Sequence, residues 1–178
     1  MLGPPVHGTA VKSNVMLIGQ APGDREIVLL KPFAWTAGKT LFRWLSSINL
    51  EESKFRNQVY MSAVCRCFPG KKPRGGDRVP SRLEIETCAQ WLNAEINLLP
   101  PQLIIPVGKL AISQFLTFKT LKEVIGVEHQ LSVADRRLDL IPVPHPSGAS
   151  TWHVTEPGKT LLQQSLKLIA QHPAIKQL

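Results

Sequence analysis

The 178 residues are enough for one domain with a single core, and a hydrophobic content of 43% is ordinary for a globular protein. No apolar run is long enough to span a membrane and the start does not resemble a secretion signal, so we expect a cytoplasmic protein. The net charge of +8 favours a polyanionic partner. Three cysteines are an odd number, which favours free thiols or metal ligands over a disulfide framework.

Strand and helix patterns alternate along the chain. Four short apolar runs rich in β-forming residues predict strands at residues 15–18, 59–64, 103–107 and 138–143. Helical patterns lie at residues 41–48, 81–98, 110–115 and 161–169. Ser81 followed by Glu84 forms a capping box at the start of the longest one. This alternation predicts a parallel sheet with helices on both sides.

Two short turn motifs follow the first and the last predicted strand. Residues 19–23 read Gly-Gln-Ala-Pro-Gly, and residues 145–148 read His-Pro-Ser-Gly. Ligands of open α/β sheets bind beyond the carboxyl ends of the strands, so both turns would open on one crevice if their strands are neighbours. Each motif alone is weak evidence, but the two in this order and spacing are specific.

A basic stretch rich in glycine and proline separates the second strand from the longest helix. Its cations are Arg66, Lys71, Lys72, Arg74, Arg78 and Arg82. Such a stretch is predicted to form an exposed loop. We expect Lys71, Lys72, Arg74 and Arg78 to contact nucleic-acid phosphates, the alternative being a solvated surface that only confers solubility.

Further short matches join the two turn motifs. They are Pro32-Phe33, Ala37-Gly38-Lys39, the cysteines Cys67 and Cys88, and the strand at 103–107 that leads into Gly108. With these, the sequence resembles the uracil-DNA glycosylase superfamily over roughly residues 15–170, most closely its iron–sulfur branch, family four. The resemblance implies one domain over residues 1–178, an α/β/α sandwich of three layers around a four-stranded parallel sheet.

The same resemblance implies a monofunctional DNA repair glycosylase that hydrolyses the N-glycosidic bond of uracil or another deaminated base in DNA. DNA is then the expected partner, and we expect a monomer. The alternatives are a protein that binds damaged or single-stranded DNA without turnover and a small-molecule nucleotide hydrolase. The basic loop fits the last of these less well.

Phe33 and His145 are the main candidates for the chemistry. By the resemblance, Phe33 stacks on the extruded base and His145 stabilises the negative charge that develops on the base oxygen. The alternatives are a core phenylalanine and a histidine that satisfies backbone carbonyls. Ser147 and Gly148 are expected to lie beside the DNA.

The first motif departs from the family, which has an acidic residue where this chain has Gln20. A neutral amide holds water but is no general base. If a carboxylate orients or deprotonates the water, Glu26 is the first choice and Asp24 the second. The alternative is that both are solvated carboxylates.

A second departure places Ala63 where the family has an asparagine that pairs with the base edge. Base choice would then depend on backbone groups near Gln20 and Ala21 or on Ser62. A branch similar to family five also has small residues here and a broader substrate range. Loss of a buried polar reader usually relaxes discrimination.

A third departure concerns the metal. The iron–sulfur branch uses four cysteines, of which Cys67 and Cys88 match two, while its C-x-x-C pair has no counterpart after Met1. Two thiolates cannot hold a [4Fe–4S] cluster, so we expect one only if two further cysteines lie upstream, and otherwise no cofactor. Cys65 could substitute as a ligand, although a strand position favours a buried thiol. We expect the sulfurs of Cys67 and Cys88 to converge near the N-terminal segment.

Overall fold

The computed structural model describes residues 1–133 and 136–178, and its described part is built around one mixed sheet. The strands are β1 Val15–Gly19, β2 Tyr60–Ala63, β3 Leu103–Pro106, β4 His129–Val133 and β5 Arg136–Leu140. Their order across the sheet is β2-β1-β3-β5-β4. The first four in that order run parallel, and β4 runs antiparallel to β5 at the edge.

Helices cover both faces of this sheet. They are α1 Glu26–Leu29, α2 Thr36–Ser46, α3 Glu52–Gln58, α4 Arg82–Leu98, α5 Lys109–Ile112, α6 Gly158–Gln171 and α7 Pro173–Lys176. Short 3₁₀ turns lie at Leu121–Glu123 and Trp152–Val154. The predicted three-layer α/β/α architecture is confirmed. None of the helices in the described ranges combines the length and apolar character needed to cross a membrane.

The prediction of a four-stranded, all-parallel sheet was wrong in one respect, because it missed β4. This strand alternates polar and apolar residues, and Gln130 and Ser132 are exposed while Leu131 is half-buried. An antiparallel edge strand with one solvated face has this pattern, whereas the apolar runs that identified the other strands mark burial on both faces.

Alternation along the interior strand β1 sends its side chains into two separate cores. Val15 and Leu17 pack with α2, α3, α6 and α7, whereas Met16 and Ile18 pack with α4. The two sides are called here the α2 face and the α4 face. A residue that continues the strand therefore belongs to one face or the other according to its position.

Candidate active site

Two glycines at the carboxyl edge of the sheet make room for Phe33 and His145. Gly19 ends β1 and Gly108 follows β3, and the backbone N–H of Val107 donates to Ile18 O at 2.8 Å, which keeps these strand ends side by side. A Cβ on Gly19 would lie 2.9 Å from Phe33 Cζ, and one on Gly108 would lie 2.9 Å from His145 Cδ2. Any other residue at either position would displace the ring that packs there.

Both rings belong to the α2 face. Phe33 packs against the core of that face. His145 lies near His153, whose ring makes an edge contact with Trp44 of α2 at 5.0 Å between centroids. The structure thus brings Phe33 and His145 to one edge and one face of the sheet. No motif in the sequence marks His153, but it is half-buried beside the site.

The backbone at Phe33 is held in an unusual conformation. Its φ of 51° lies in the left-handed region, which a residue with a Cβ seldom adopts. Arg56 of α3 donates to Pro32 O and Phe33 O, both at 2.8 Å, and is itself paired with Glu52 at 2.8 Å. Arg56 was not found from the sequence, where only its spacing of four from Glu52 hinted at an ordered side chain.

The hydrogen bonds of His145 determine which of its nitrogens carries the proton. Nδ1 accepts the backbone N–H of Ser147 at 3.2 Å, so in the neutral ring the proton lies on Nε2. Burial lowers the pKa of His145, and the neighbouring His153 lowers it further. The neutral, Nε2-protonated form is therefore favoured at neutral pH, and Ser147 acts through His145.

Three carboxylates surround the turn of the first motif. Glu26 is buried, and its Oε2 accepts the backbone N–H of Gly23 at 2.7 Å. Asp24 pairs with Lys71 at 2.6 Å, and this partner lowers the pKa of Asp24. Asp77, which sequence reasoning missed inside the basic loop, also approaches Gly23, and partial burial together with Asp24 raises its pKa. Glu26 is thus no solvated carboxylate, while Asp24 serves to hold the loop.

The candidates for reading the base occupy different faces. Ala63 pairs with Gly19 in the β1–β2 register and so lies beside Phe33, with Gln20 half-buried next along the chain. The Ser62 hydroxyl instead donates to Glu95 Oε2 at 2.5 Å on the α4 face, and Ala21 packs against the core of that face. The expectation that the Ser62 side chain reads the base is wrong for this geometry, because a strand residue next to one on the α2 face points away from it.

The basic loop is a small hairpin that is tied to the body at both ends. Lys71 pairs across it with Asp77 in an isolated β-bridge, and Arg78 N–H donates to Gly70 O at 2.9 Å. Arg78 also makes a two-pronged ion pair with Glu84, at 2.6 and 2.7 Å. Within the described residues, Lys72 and Arg74 carry no ion pair, so they remain the cations of the loop that are available to phosphate. Gly148 is exposed at the other rim of the crevice.

The three cysteines lie together on the α4 side. Cys65 Sγ donates to Glu84 O at 3.7 Å, and burial with the nearby Cys88 and Cys67 raises the pKa of Cys65 to about 12. The N-terminal segment runs alongside, because Leu2 pairs with Phe68 through hydrogen bonds of 2.7 and 3.1 Å. Among the described residues, no three cysteine sulfurs lie within 4.8 Å of one another. The residues present do not fit a [4Fe–4S] cluster, because they offer three cysteines and the cluster takes four thiolates.

A cavity of about 460 Å³ opens at the opposite, amino-terminal edge of the sheet. Glu128, Asp139 and His172 converge there, with candidate metal-ligand atoms within 4.8 Å of one another. The guanidinium of Arg137 already pairs with Asp139 at 2.9 Å, and His172 Nδ1 accepts the N–H of Ala174 at 3.1 Å. His172 Nε2 lies 3.3 Å from Asp139 Oδ2, so both ring nitrogens already have partners in the chain, and hydrogen bonds together with the Arg137–Asp139 ion pair explain this group without a metal.

Comparison with known proteins agrees with this geometry. The family model described as "Uracil DNA glycosylase superfamily" matches residues 5–167, and the chain belongs to that superfamily. It is similar to the Type-4 uracil-DNA glycosylase of Archaeoglobus fulgidus, with 30% identity over 76% of this chain and 66% of the relative. The enzymes of that name from Sulfurisphaera tokodaii and Pyrobaculum aerophilum are 27% and 29% identical, over 78% and 77% of this chain and 61% and 68% of their own lengths. The chain therefore spans about two thirds of the length of these relatives.

Proposed function

We propose that the protein is a DNA glycosylase that hydrolyses the bond between deoxyribose and uracil, or another deaminated base, in DNA. The observation that carries this proposal is the placement of Phe33 and His145 against Gly19 and Gly108, at one edge and on one face of the sheet. Membership of the superfamily and the names of the relatives support the same activity.

His145 would stabilise the leaving base. When the N-glycosidic bond breaks, its electron pair passes to the base and negative charge develops on a ring carbonyl oxygen. The neutral imidazole, with Nδ1 occupied by the Ser147 N–H, presents Nε2–H to that oxygen. A fixed donor in a site that excludes water is most effective against developing charge.

Phe33 would bind the extruded base, and Glu26 would position the attacking water. Phe33 offers an aromatic face to the extruded base, at a position made rigid by Arg56. Glu26 has one carboxylate oxygen engaged by Gly23, which leaves the other to accept a hydrogen from the attacking water. Gln20 can help hold this water but cannot take its proton. If Glu26 has this role, Glu26→Gln should slow single-turnover excision, since the amide still satisfies Gly23 but is no base.

Base selection is expected to be relaxed. Ala63 beside Phe33 offers no side-chain hydrogen bond, and Ser62 points to the other face. Backbone groups near Gln20 and Ala63 would then read the base edge. Sites that lack a polar side-chain reader discriminate less between analogues. We therefore expect excision of more than one deaminated base.

The second candidate function is recognition of damaged or single-stranded DNA without turnover, and the neutral Gln20 together with Ala63 favours it. The deciding experiment incubates the protein with a uracil-containing oligonucleotide and a thymine control, and then cleaves abasic sites with alkali. Strand cleavage at uracil alone, slowed strongly by His145→Ala, supports the glycosylase. Retarded mobility of the oligonucleotide without cleavage supports the binding protein.

The cysteines lead to a conditional proposal about the cofactor. If a longer form of the chain carries a C-x-x-C pair ahead of Met1, the pairing of Leu2 with Phe68 brings that pair beside Cys67. Iron analysis and the visible spectrum of anaerobically purified protein test this. The longer form should be brown and contain iron, and the 178-residue chain should be colourless; a colourless longer form would contradict the proposal.

A further inference from the structure

Trp35 is an exposed aromatic residue two positions after Phe33 in the chain. It precedes α2 directly, and 45% of its surface is exposed. Arg25 Cζ lies 5.5 Å and Lys39 Nζ lies 5.6 Å from the centroid of its ring. Two cations from different segments, the turn before α1 and the first turn of α2, thus meet on one exposed indole.

Folding does not account for this arrangement. Among the described residues, neither Arg25 nor Lys39 has an ion-pair partner, and Trp35 belongs to neither hydrophobic core. Lys39 lies in the first turn of α2, where the helix dipole disfavours a cation, and that turn contains no acidic residue. Exposed cation–π contacts are weak, so an anion can draw both side chains away from the ring.

The position of Trp35 relates it to the base pocket. It follows Phe33 by two residues, so their Cα atoms lie at most about 7 Å apart. Successive bases along one DNA strand rise by about 3.4 Å, so this distance corresponds to about two base steps. A nucleotide one or two positions from the one extruded onto Phe33 would therefore come within reach of Trp35.

We propose that Trp35, Arg25 and Lys39 form a platform for the DNA strand that carries the target base. A base one or two positions from the extruded one stacks on the indole, and Arg25 and Lys39 contact the phosphates that flank it. Aromatic residues with nearby cations bind single strands in this way, because every base has a stacking face. The inference rests on the proposed function in that it takes DNA as the substrate.

The test compares Trp35→Ala with Trp91→Ala as a matched control. Trp91 is a second exposed tryptophan, 57% accessible, on α4 at the opposite face of the sheet. Binding is measured with a uracil-containing single strand and with the same strand bearing thymine, and the fold is checked by thermal unfolding. Trp35→Ala should weaken binding of both strands about 10-fold. Trp91→Ala should bind like the parent protein.

A second comparison isolates stacking from other effects. The binding assay is repeated on strands in which one nucleotide, up to two positions to either side of the uracil, has no base. At the position that Trp35 contacts, the abasic nucleotide should weaken binding by the parent protein and remove the penalty of Trp35→Ala. Replacing Arg25 and Lys39 with Gln should lower the salt dependence of binding by up to about 0.7 log units per lost contact.

The outcomes separate this inference from the proposed function. If the parent protein excises uracil but Trp35→Ala binds as tightly as Trp91→Ala, the platform is refuted and the glycosylase stands. If the Trp35→Ala penalty persists at every abasic position, Trp35 does not stack on a base and the inference is also wrong. If the parent protein binds DNA and Trp35→Ala weakens that binding, but uracil is never excised, the platform stands and the glycosylase fails.

Discussion

The two faces of the sheet treat their polar side chains in opposite ways. On the α4 face, Glu95 accepts hydrogen bonds from Tyr60 and Ser62 and pairs with Arg66, so both its oxygens are engaged by the chain. On the α2 face, His145 Nε2 has no hydrogen-bond partner in the described part of the chain. Buried polar groups that the fold requires are satisfied internally, whereas those that act on a ligand are left available.

Protonation states follow the same division. Burial and the neighbouring Glu95 raise the pKa of Tyr60 to about 12, which keeps its hydroxyl a hydrogen-bond donor to that carboxylate. Burial lowers the pKa of His145, which keeps the ring neutral. We therefore treat the Glu95 cluster, which consists of Glu95, Tyr60, Ser62 and Arg66, as structural and the crevice as functional.

The largest expected effect is that of Glu95→Ala, which should lower stability without lowering activity. Glu95→Ala leaves two hydroxyls and the Arg66 guanidinium without their acceptor, and breaking a largely buried charged network costs about 3–5 kcal/mol in free energy of unfolding. Urea unfolding followed by circular dichroism measures this. The excision rate of the folded fraction should not change.

A matched control for this variant lies on the same helix. Glu86 forms an exposed pair with Arg82 at 2.6 Å, and Glu86→Ala should leave the unfolding midpoint unchanged. A loss of excision in folded Glu95→Ala protein, or equal effects of the two substitutions, would show that the Glu95 cluster is not purely structural.

His145→Ala should have the converse profile. Removal of one charge-stabilising donor should slow the chemical step roughly 100- to 1,000-fold, which single-turnover excision measures. DNA affinity should remain close to that of the parent protein, because phosphate contacts dominate it. An unchanged single-turnover rate would exclude His145 from the chemistry.

Sequence reasoning was most successful where local chemistry determines local structure. Ser81 and Glu84 were predicted to form a capping box, and both reciprocal hydrogen bonds are present at the start of α4. Apolar runs located β1 and β3 to within a residue. Helices α1, α3 and α7 were missed. Each has only four to seven residues, which is too short to show a clear helical periodicity of apolar residues.

The candidate site could be predicted only where a motif carried it. Phe33 and His145 lie in recognisable turns. Arg56 donates to the carbonyl of Phe33, 23 residues away, and Asp77 approaches Gly23 from a distant loop; no local sequence pattern records such long-range contacts. The direction of Ser62 depends on strand register, and a shift of one residue would have reversed it.

Substitutions in the basic loop should have a smaller effect, on the salt dependence of DNA binding. Replacing Lys72 and Arg74 with Gln should lower the slope of log affinity against log salt by up to about 0.9 per lost phosphate contact, with no change in base preference. The matched control is Lys12 and Lys176, exposed lysines at or near the amino-terminal edge, whose replacement should leave the slope unchanged. Altered base preference with an unchanged slope would mean that the hairpin contacts bases.

The smallest expected effect is a pH dependence of stability that depends on His145. Its pKa in the folded chain lies below the ordinary value of 6.5, so the unfolded chain takes up a proton first as the pH falls. The stability that this histidine confers is therefore complete above about pH 6.5 and is lost as the pH falls through the lower, folded pKa.

Urea unfolding at several values between about pH 7.5 and 5 should show a steeper loss of stability for the parent protein than for His145→Gln. His153→Gln should reduce the loss less, since His153 is the more open ring and burial alone lowers its pKa. Parallel curves for the parent protein and His145→Gln would mean that the imidazole is not held neutral, and the assignment of Nε2–H as the donor would fail with it.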